Sequence, residues 1–141
     1  MKLTSQTEYA LLALVEIARS GNNEPLSAER ISLAQDIPYK FLEQILIALR
    51  RAGLVKSTKG ARGGYRLARS PDKIALAEVI RLFEGALAPT LSVSSFFYDA
   101  TPIEREPSLV NVFKRVRDVV ADVLENTKLS DVINSKKRGK K

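Results

Sequence analysis

One stretch constrains this chain more than any other: residues 36 to 69, a helical pattern that opens at a proline, closes at a glycine and runs directly into a glycine-tipped hairpin. Pro38 suits a first helical position, because its missing N–H would be an orphan donor there and its φ is already helical. Phe41, Leu42, Ile45 and Leu49 then recur at helical spacing and give one apolar face. Arg50 and Arg51 precede Gly53, a pairing typical of a helix C-terminus. Leu54 to Thr58 and Tyr65 to Arg69 are short β-prone runs, separated by Gly60, Gly63 and Gly64, which supply the positive φ that a hairpin loop requires. A helix followed by such a hairpin is the arrangement of a recognition helix and its wing. The fold expected is therefore mainly α: a winged helix-turn-helix with a two-stranded wing.

Charge points the same way. Residues 38 to 69 hold eight Lys or Arg and one acid, Glu43, while the whole chain of 141 residues nets only +7. A block of one sign on one supersecondary unit is the footprint of a polyanionic partner. Seven further residues, 135 to 141, form a basic tail, expected to be disordered because it carries no apolar side chain. The length allows one domain with an appendage. No apolar run reaches the roughly 18 residues of a membrane span. Nothing after the apolar stretch Tyr9 to Ala18 resembles a cleavage site, so a cytoplasmic location is expected. The chain has neither Cys nor His, which removes disulfides and the usual zinc and iron–sulfur ligands.

Taken in order, Ser5-Gln6-Thr7-Glu8 reads as a capping box ahead of a helix to about Arg19, apolar on nearly every side. Gly21 and Asn22 end that helix. Ser27 caps a short helix, Ala28 to Ala34, with Ile31 and Leu33 as its apolar residues. Gln35-Asp36-Ile37 then connects to the helix at Pro38, completing a helix-turn-helix. Beyond the wing, Leu76, Val79, Ile80 and Phe83 mark an amphipathic helix over 75–84, closed by Gly85. This sets a DNA-binding domain at 1–85. Residues 86–106, with two prolines and Phe96-Phe97-Tyr98, form an irregular connector or a sensing loop, the bland expectation being that the aromatics dock on a neighbour. Pro107 opens the longest helix, to about Asn126, in a region 107–134. There Leu109, Phe113, Val116, Val120 and Val123 follow spacings of 4, 3, 4 and 3, a heptad-type seam widened by Val112 and Val119. That seam suits a long C-terminal dimerisation helix better than a core already complete without it. Ser130 is a candidate cap for a last short helix.

The N-terminal turn of a recognition helix meets base edges in the major groove. Glu43 in that turn is either a base reader, since a carboxylate accepts from cytosine N4 and is repelled by phosphate, or a partner for Lys40. Gln44 suits adenine; Tyr39 and Lys40 suit phosphates. Arg50, Lys56 and Arg66 extend the cationic surface. At the wing tip, Lys59 and Arg62 sit on a loop able to approach the backbone closely, and an arginine there suits a narrow minor groove. The expected partner is double-stranded DNA, with a protein or small-molecule effector possible. An RNA- or protein-binding module is the alternative. The glycine loop lacks the Gly-x-x-x-x-Gly-Lys-Ser/Thr pattern and the strand–loop–helix setting of a phosphate-binding enzyme, so no enzyme is expected.

Several runs resemble the Rrf2 family of bacterial transcriptional regulators: Lys2-Leu3-Thr4 with Glu8-Tyr9-Ala10, Phe41-Leu42-Glu43-Gln44-Ile45-Leu46, Leu49 to Val55, Gly60-Ala61-Arg62-Gly63-Gly64-Tyr65, and Leu82-Phe83-Glu84-Gly85. The resemblance covers about residues 1 to 125. It implies a homodimeric winged-helix repressor or activator, with the base-reading glutamate at Glu43 and the basic wing-tip position at Lys59 or Arg62. Many relatives hold a [2Fe–2S] cluster through three cysteines in the segment matching 92–107, and some add an acid matching Glu8. Here those places carry Ser92, Tyr98 and Glu104, so no cofactor is expected and Glu8 is better explained as a cap.

Overall fold

The computed structural model describes residues 2–21 and 24–135; Asn22 and residues 136–141 of the basic tail lie outside the described residues, whereas Ser135, expected to be disordered with that tail, is ordered by its hydroxyl donating to the Asp131 carbonyl at 2.9 Å. Helix α1 spans Ser5–Ser20 and buries Ala10, Ala13, Leu14, Ile17 and Ala18 in the main core. Its cap is Thr4, one residue before the serine expected from the sequence. The Thr4 hydroxyl accepts from the Thr7 N–H at 3.4 Å. The acid that completes the arrangement is not Glu8 but Glu84, eighty residues away. Its Oε2 accepts from the Thr4 N–H (2.7 Å) and the Thr4 hydroxyl (2.8 Å), and from the Thr7 hydroxyl as well. These donors, the Thr4 amide first, hold the Glu84 carboxyl below its ordinary pKa. Stability from this clasp is therefore complete above the ordinary glutamate range and is lost as pH falls through the depressed value. Glu84→Gln should melt below the parent at pH 7 and show a shallower decline of Tm between pH 6 and pH 3. Parallel melting curves for the two proteins would remove the clasp from the account.

Helix α2, Ala28–Gln35, is capped by Ser27, whose hydroxyl accepts from the Arg30 N–H at 3.2 Å. Ile31 is buried, but Leu33 is 83% exposed and contributes nothing to the core. Asp36 takes the left-handed conformation that ends the helix and turns the chain. Helix α3, Tyr39–Arg51, begins one residue after Pro38, which sits in extended conformation at the cap and accepts from the Phe41 and Leu42 N–H groups. Its buried face is Leu42, Ile45, Leu46 and Leu49; Phe41, expected in the core, is half exposed. Leu46 fills the place assigned to Phe41 because it lies one turn beyond Leu42 on the inward side.

Strands β1 (Val55–Thr58) and β2 (Gly64–Leu67) pair antiparallel, Val55 with Leu67 through Thr58 with Gly64. A further bridge joins Tyr65 to Leu26, with N–H to O distances of 2.9 and 2.8 Å in the two directions. The wing is thereby anchored to the segment before α2. Beyond it, α4 (Leu76–Glu84) packs on α1 and ends at Gly85, with φ of +84°. The segment to residue 106 contains two short 3₁₀ turns, Leu91–Val93 and Pro102–Arg105, with Ser92, Val93 and Ser94 buried. Its aromatic run is only lightly covered by its own chain: Phe96 is 75% exposed although its ring lies 5.7 Å from the Arg81 guanidinium, and Phe97 and Tyr98 are about half exposed.

Helix α5, Pro107–Asn126, has no buried residue. Arg81 of α4 holds it through Glu125 at 2.6 Å, and Leu124 packs on the small cluster of Ala77, Ile80 and Leu87. The chain then returns to the body. The Leu129 N–H donates to the Ile74 carbonyl (2.8 Å) and Leu129 is buried beside α1, so that α6, Leu129–Asn134, joins the main core. Its N-terminus is closed by Asp131, which accepts from the Lys128 N–H at 2.8 Å, rather than by Ser130. None of the described helices is long and apolar enough to cross a membrane.

Candidate nucleic-acid interface

The outer edge of α3 presents Tyr39, Lys40, Glu43 and Gln44, all exposed, because the inward positions are taken by leucine and isoleucine. Two sets of contacts hold that edge in place. Tyr9 of α1 stacks on Phe41 with ring centroids 6.4 Å apart, and Lys40 lies over the same ring at 5.4 Å. The Tyr39 phenol pKa is raised, chiefly by Glu29 of α2, then by desolvation, by Glu43 of its own helix and by the wing's Tyr65. At the far end, an Arg50 guanidinium N–H donates to the Ser57 hydroxyl of β1 at 3.4 Å, a long contact between helix and wing. The Lys40–ring contact gives Lys40 a neighbour other than Glu43, and no Lys40–Glu43 ion pair is present among the described residues.

The wing is exposed along its rim. Lys56, Lys59 and Arg62 are open to solvent, and the loop between the strands is built from the glycines. Gly60 has a φ of +104°; at Gly63 a Cβ would stand 2.1 Å from the Thr58 carbonyl oxygen. Arg66 is only part-exposed, and its Nε is buried without a hydrogen-bond partner among the described residues. Arg69, counted with the cationic block, is turned away: it pairs with Glu78 at 2.5 Å. The structure thus brings eight of the nine expected DNA-facing side chains to an exposed edge, with Arg66 partly withdrawn behind them.

Three side chains beside this edge carry no signal in the sequence pattern. Tyr9 supports the recognition helix from outside the helix-turn-helix, and an aromatic four residues after a helix start carries no sign of it. Ser5, replaced as the cap by Thr4, and Gln6 line a groove of about 490 Å³ with Tyr9, Phe41 and Gln44, beside the outer edge of α3.

On α5, Leu109, Val112, Val116, Val119 and Val123 form the exposed stripe, whereas Phe113 and Val120 are half-buried. The apolar stripe left open in a single chain is therefore offset by part of a turn from the heptad seam read in the sequence.

These elements define a class: a winged helix-turn-helix DNA-binding protein, whose mainly helical body carries one two-stranded antiparallel wing. The family follows from similarity along almost the whole chain. Residues 3–135 match the Rrf2 model, described as an iron-dependent transcriptional regulator, and the chain belongs to that family. It is 36% identical over 132 residues to the HTH-type transcriptional regulator CymR of Bacillus subtilis, covering 94% of this chain and 89% of the relative. It is 34% identical to IscR of Cereibacter sphaeroides, covering 98% and 90%. Among solved structures, B. subtilis CymR superposes with a TM-score of 0.76 at 34% identity (95% and 97% covered), and T. potens IscR with 0.78 at 29% (100% and 92%). Family members are transcriptional regulators, not enzymes, and this chain is a DNA-binding regulator of that kind.

Iron–sulfur clusters are held by cysteine thiolates, with histidine in some, and this chain has neither residue. At the matching positions the Ser92 hydroxyl accepts from Thr101 at 2.5 Å, and the Tyr98 hydroxyl donates to Glu104 at 2.5 Å. Those side chains are already paired with protein groups. Among the described residues no three His, Cys, Asp or Glu gather as a metal site. The residues do not fit a cluster.

Proposed function

We propose that the protein is a cytoplasmic, homodimeric regulator that binds a palindromic duplex operator and does so without an iron–sulfur cluster. The observation that carries this reading is the edge formed by α3 and the wing, whose exposed lysines and arginines share those elements with one carboxylate, Glu43, on the outward side of the reading helix. A surface built only to attract phosphate gains nothing from an acid, so Glu43 reads a base, with cytosine N4 as the matching donor. Gln44 reads beside it. Tyr39, Lys40, Arg50 and Lys56 hold phosphates, and Lys59 and Arg62 carry the wing tip to the groove. Arg66, part-exposed, adds its charge behind them. The α5 stripe covers itself with the same stripe of a second chain, and two reading helices then address half-sites about 34 Å apart.

The test is a selection from random duplexes with the full chain, repeated with Glu43→Ala and Arg62→Ala. The parent should return an inverted repeat. Glu43→Ala should relax one base pair per half-site while retaining most of the affinity. Arg62→Ala should weaken all sequences alike and reduce the salt dependence of log K by about one unit per bound wing. Uniform weakening by the Glu43 change would show that it reads no base, and a preference for single strands would overturn the duplex reading altogether.

A further inference from the structure

Between α4, the aromatic run and α5 lies a cavity of about 240 Å³ that the DNA-binding edge does not use. Its walls are of two kinds. Leu87, Phe96 and Phe97 provide apolar surface; Arg81, Asp118 and Glu125 provide charge. Arg117, the remaining cation, is already committed: its guanidinium bonds Asp118 at 2.8 and 2.9 Å and the Val93 carbonyl at 3.0 Å, which fastens the 3₁₀ turn ahead of the aromatic run to α5. Arg81 is different. It donates one Nη2 hydrogen to Glu125 at 2.6 Å and stands 5.7 Å from the Phe96 ring centre, and it bonds no other acceptor among the described residues. Asp118 and Glu125 each accept through one oxygen and keep the second free of any protein donor among the described residues. A guanidinium with spare donors and two carboxylates with spare acceptors thus line one small, partly apolar cavity.

That combination selects a ligand class. A simple anion meets two carboxylates, a simple cation meets two arginines, and a neutral hydrocarbon leaves the charged groups poorly hydrated. A molecule carrying both charges satisfies both sets at once. The volume is below the roughly 300–1,000 Å³ of sites for drug-sized ligands, which restricts the occupant to a small metabolite. We propose that this cavity is an effector site for a zwitterionic amino acid with an apolar side chain. The carboxylate takes the free N–H groups of Arg81, the ammonium lies between Asp118 and Glu125, and the side chain lies on Phe96, Phe97 and Leu87. Arg81 belongs to α4, which packs on the reading body, and Glu125 to α5, so an occupant joins the two parts and sets the angle between them. Only this regulatory consequence rests on the DNA-binding dimer described above; binding itself does not.

The experiment titrates the full chain by calorimetry with L-leucine, L-methionine and L-phenylalanine. At least one should bind. For leucine, 4-methylpentanoate (no ammonium) and 3-methylbutylamine (no carboxylate) should each bind at least roughly tenfold more weakly, the usual effect of removing a charged hydrogen-bond partner; for another binder, its own two analogues serve. Arg81→Met, which keeps length over Phe96, and Glu125→Gln should each weaken binding by a similar factor; should the first not fold, the second decides. No heat with any of the three, or equal binding of analogue and parent, overturns the site. Coupling must be reciprocal, so a bound amino acid that leaves operator affinity unchanged overturns the effector role. Duplex selection on the same preparation keeps the two readings apart. Intact DNA binding without amino-acid binding sinks only this site, whereas failed DNA binding sinks the dimeric-operator reading whatever the cavity holds.

Discussion

Replacing both Val116 and Val119 by aspartate is expected to leave a folded single chain that no longer holds its operator. Both side chains are exposed in one chain, Val119 to 64%, and neither touches the main core. Exposed substitutions of this kind usually change stability by no more than about 0.5 kcal/mol. In the proposed dimer the same positions would bring four carboxylates into an apolar seam, where desolvation and like-charge repulsion both oppose association. Sedimentation of the parent should give twice the mass of one chain and the variant the mass of one. Affinity for the two-half-site operator should fall by about a hundredfold or more, because the second half-site is then bound independently rather than from a linked neighbour. A variant that still sediments as a dimer would move the interface off α5. A parent that sediments as one chain would remove the dimer itself.

The second large effect is expected at Gly64. A Cβ there would stand 2.5 Å from the Leu26 carbonyl oxygen and 2.6 Å from its carbon, and both atoms are backbone held in the bridge to Tyr65. No rotamer change can relieve that contact. Either the bridge opens or the wing swings away from the body. Gly64→Ala should cost about 3 kcal/mol, toward the upper end of ordinary single substitutions, and lower Tm by roughly 10 °C. Duplex affinity should fall with it, since Lys59 and Arg62 depend on where the wing stands. Gly60→Ala is the control: its Cβ meets nothing within 4 Å, so only the strain of its φ of +104° remains, and the loss should be about 1 kcal/mol. Equal losses at the two glycines would mean that the close approach to Leu26 is not what fixes the wing.

Legibility in the sequence followed the range of the interactions. The recognition helix, its glycine stop, the hairpin, the Ser27 cap and the Pro107 start are decided within four or five residues, and each was readable from spacing and turn chemistry. The errors fall where a local signal had a distant competitor. Ser5 and Glu8 have the spacing of a capping box, but Glu84 reaches Thr4 and draws the cap one residue back. Ser130 is a good capping residue, yet the chain is already committed one step earlier by the Leu129–Ile74 hydrogen bond that docks α6 on the body. The heptad spacing on α5 gave the right helix and an offset stripe, because contact with α4 and the preceding segment, not periodicity, decides which valines are covered.

The sequence alone therefore determined the class of fold and the cationic, single-carboxylate character of its reading edge, since helix periodicity, glycine conformation and net charge are properties of neighbouring residues. Only the tertiary structure decided which cations remain free, through the Arg69–Glu78 pair, which aromatic supports the reading helix, and how the cavity beside α5 is lined. Those outcomes depend on side chains tens of residues apart meeting at a few ångströms, and no pattern along the chain records which of several possible partners the folded packing brings together.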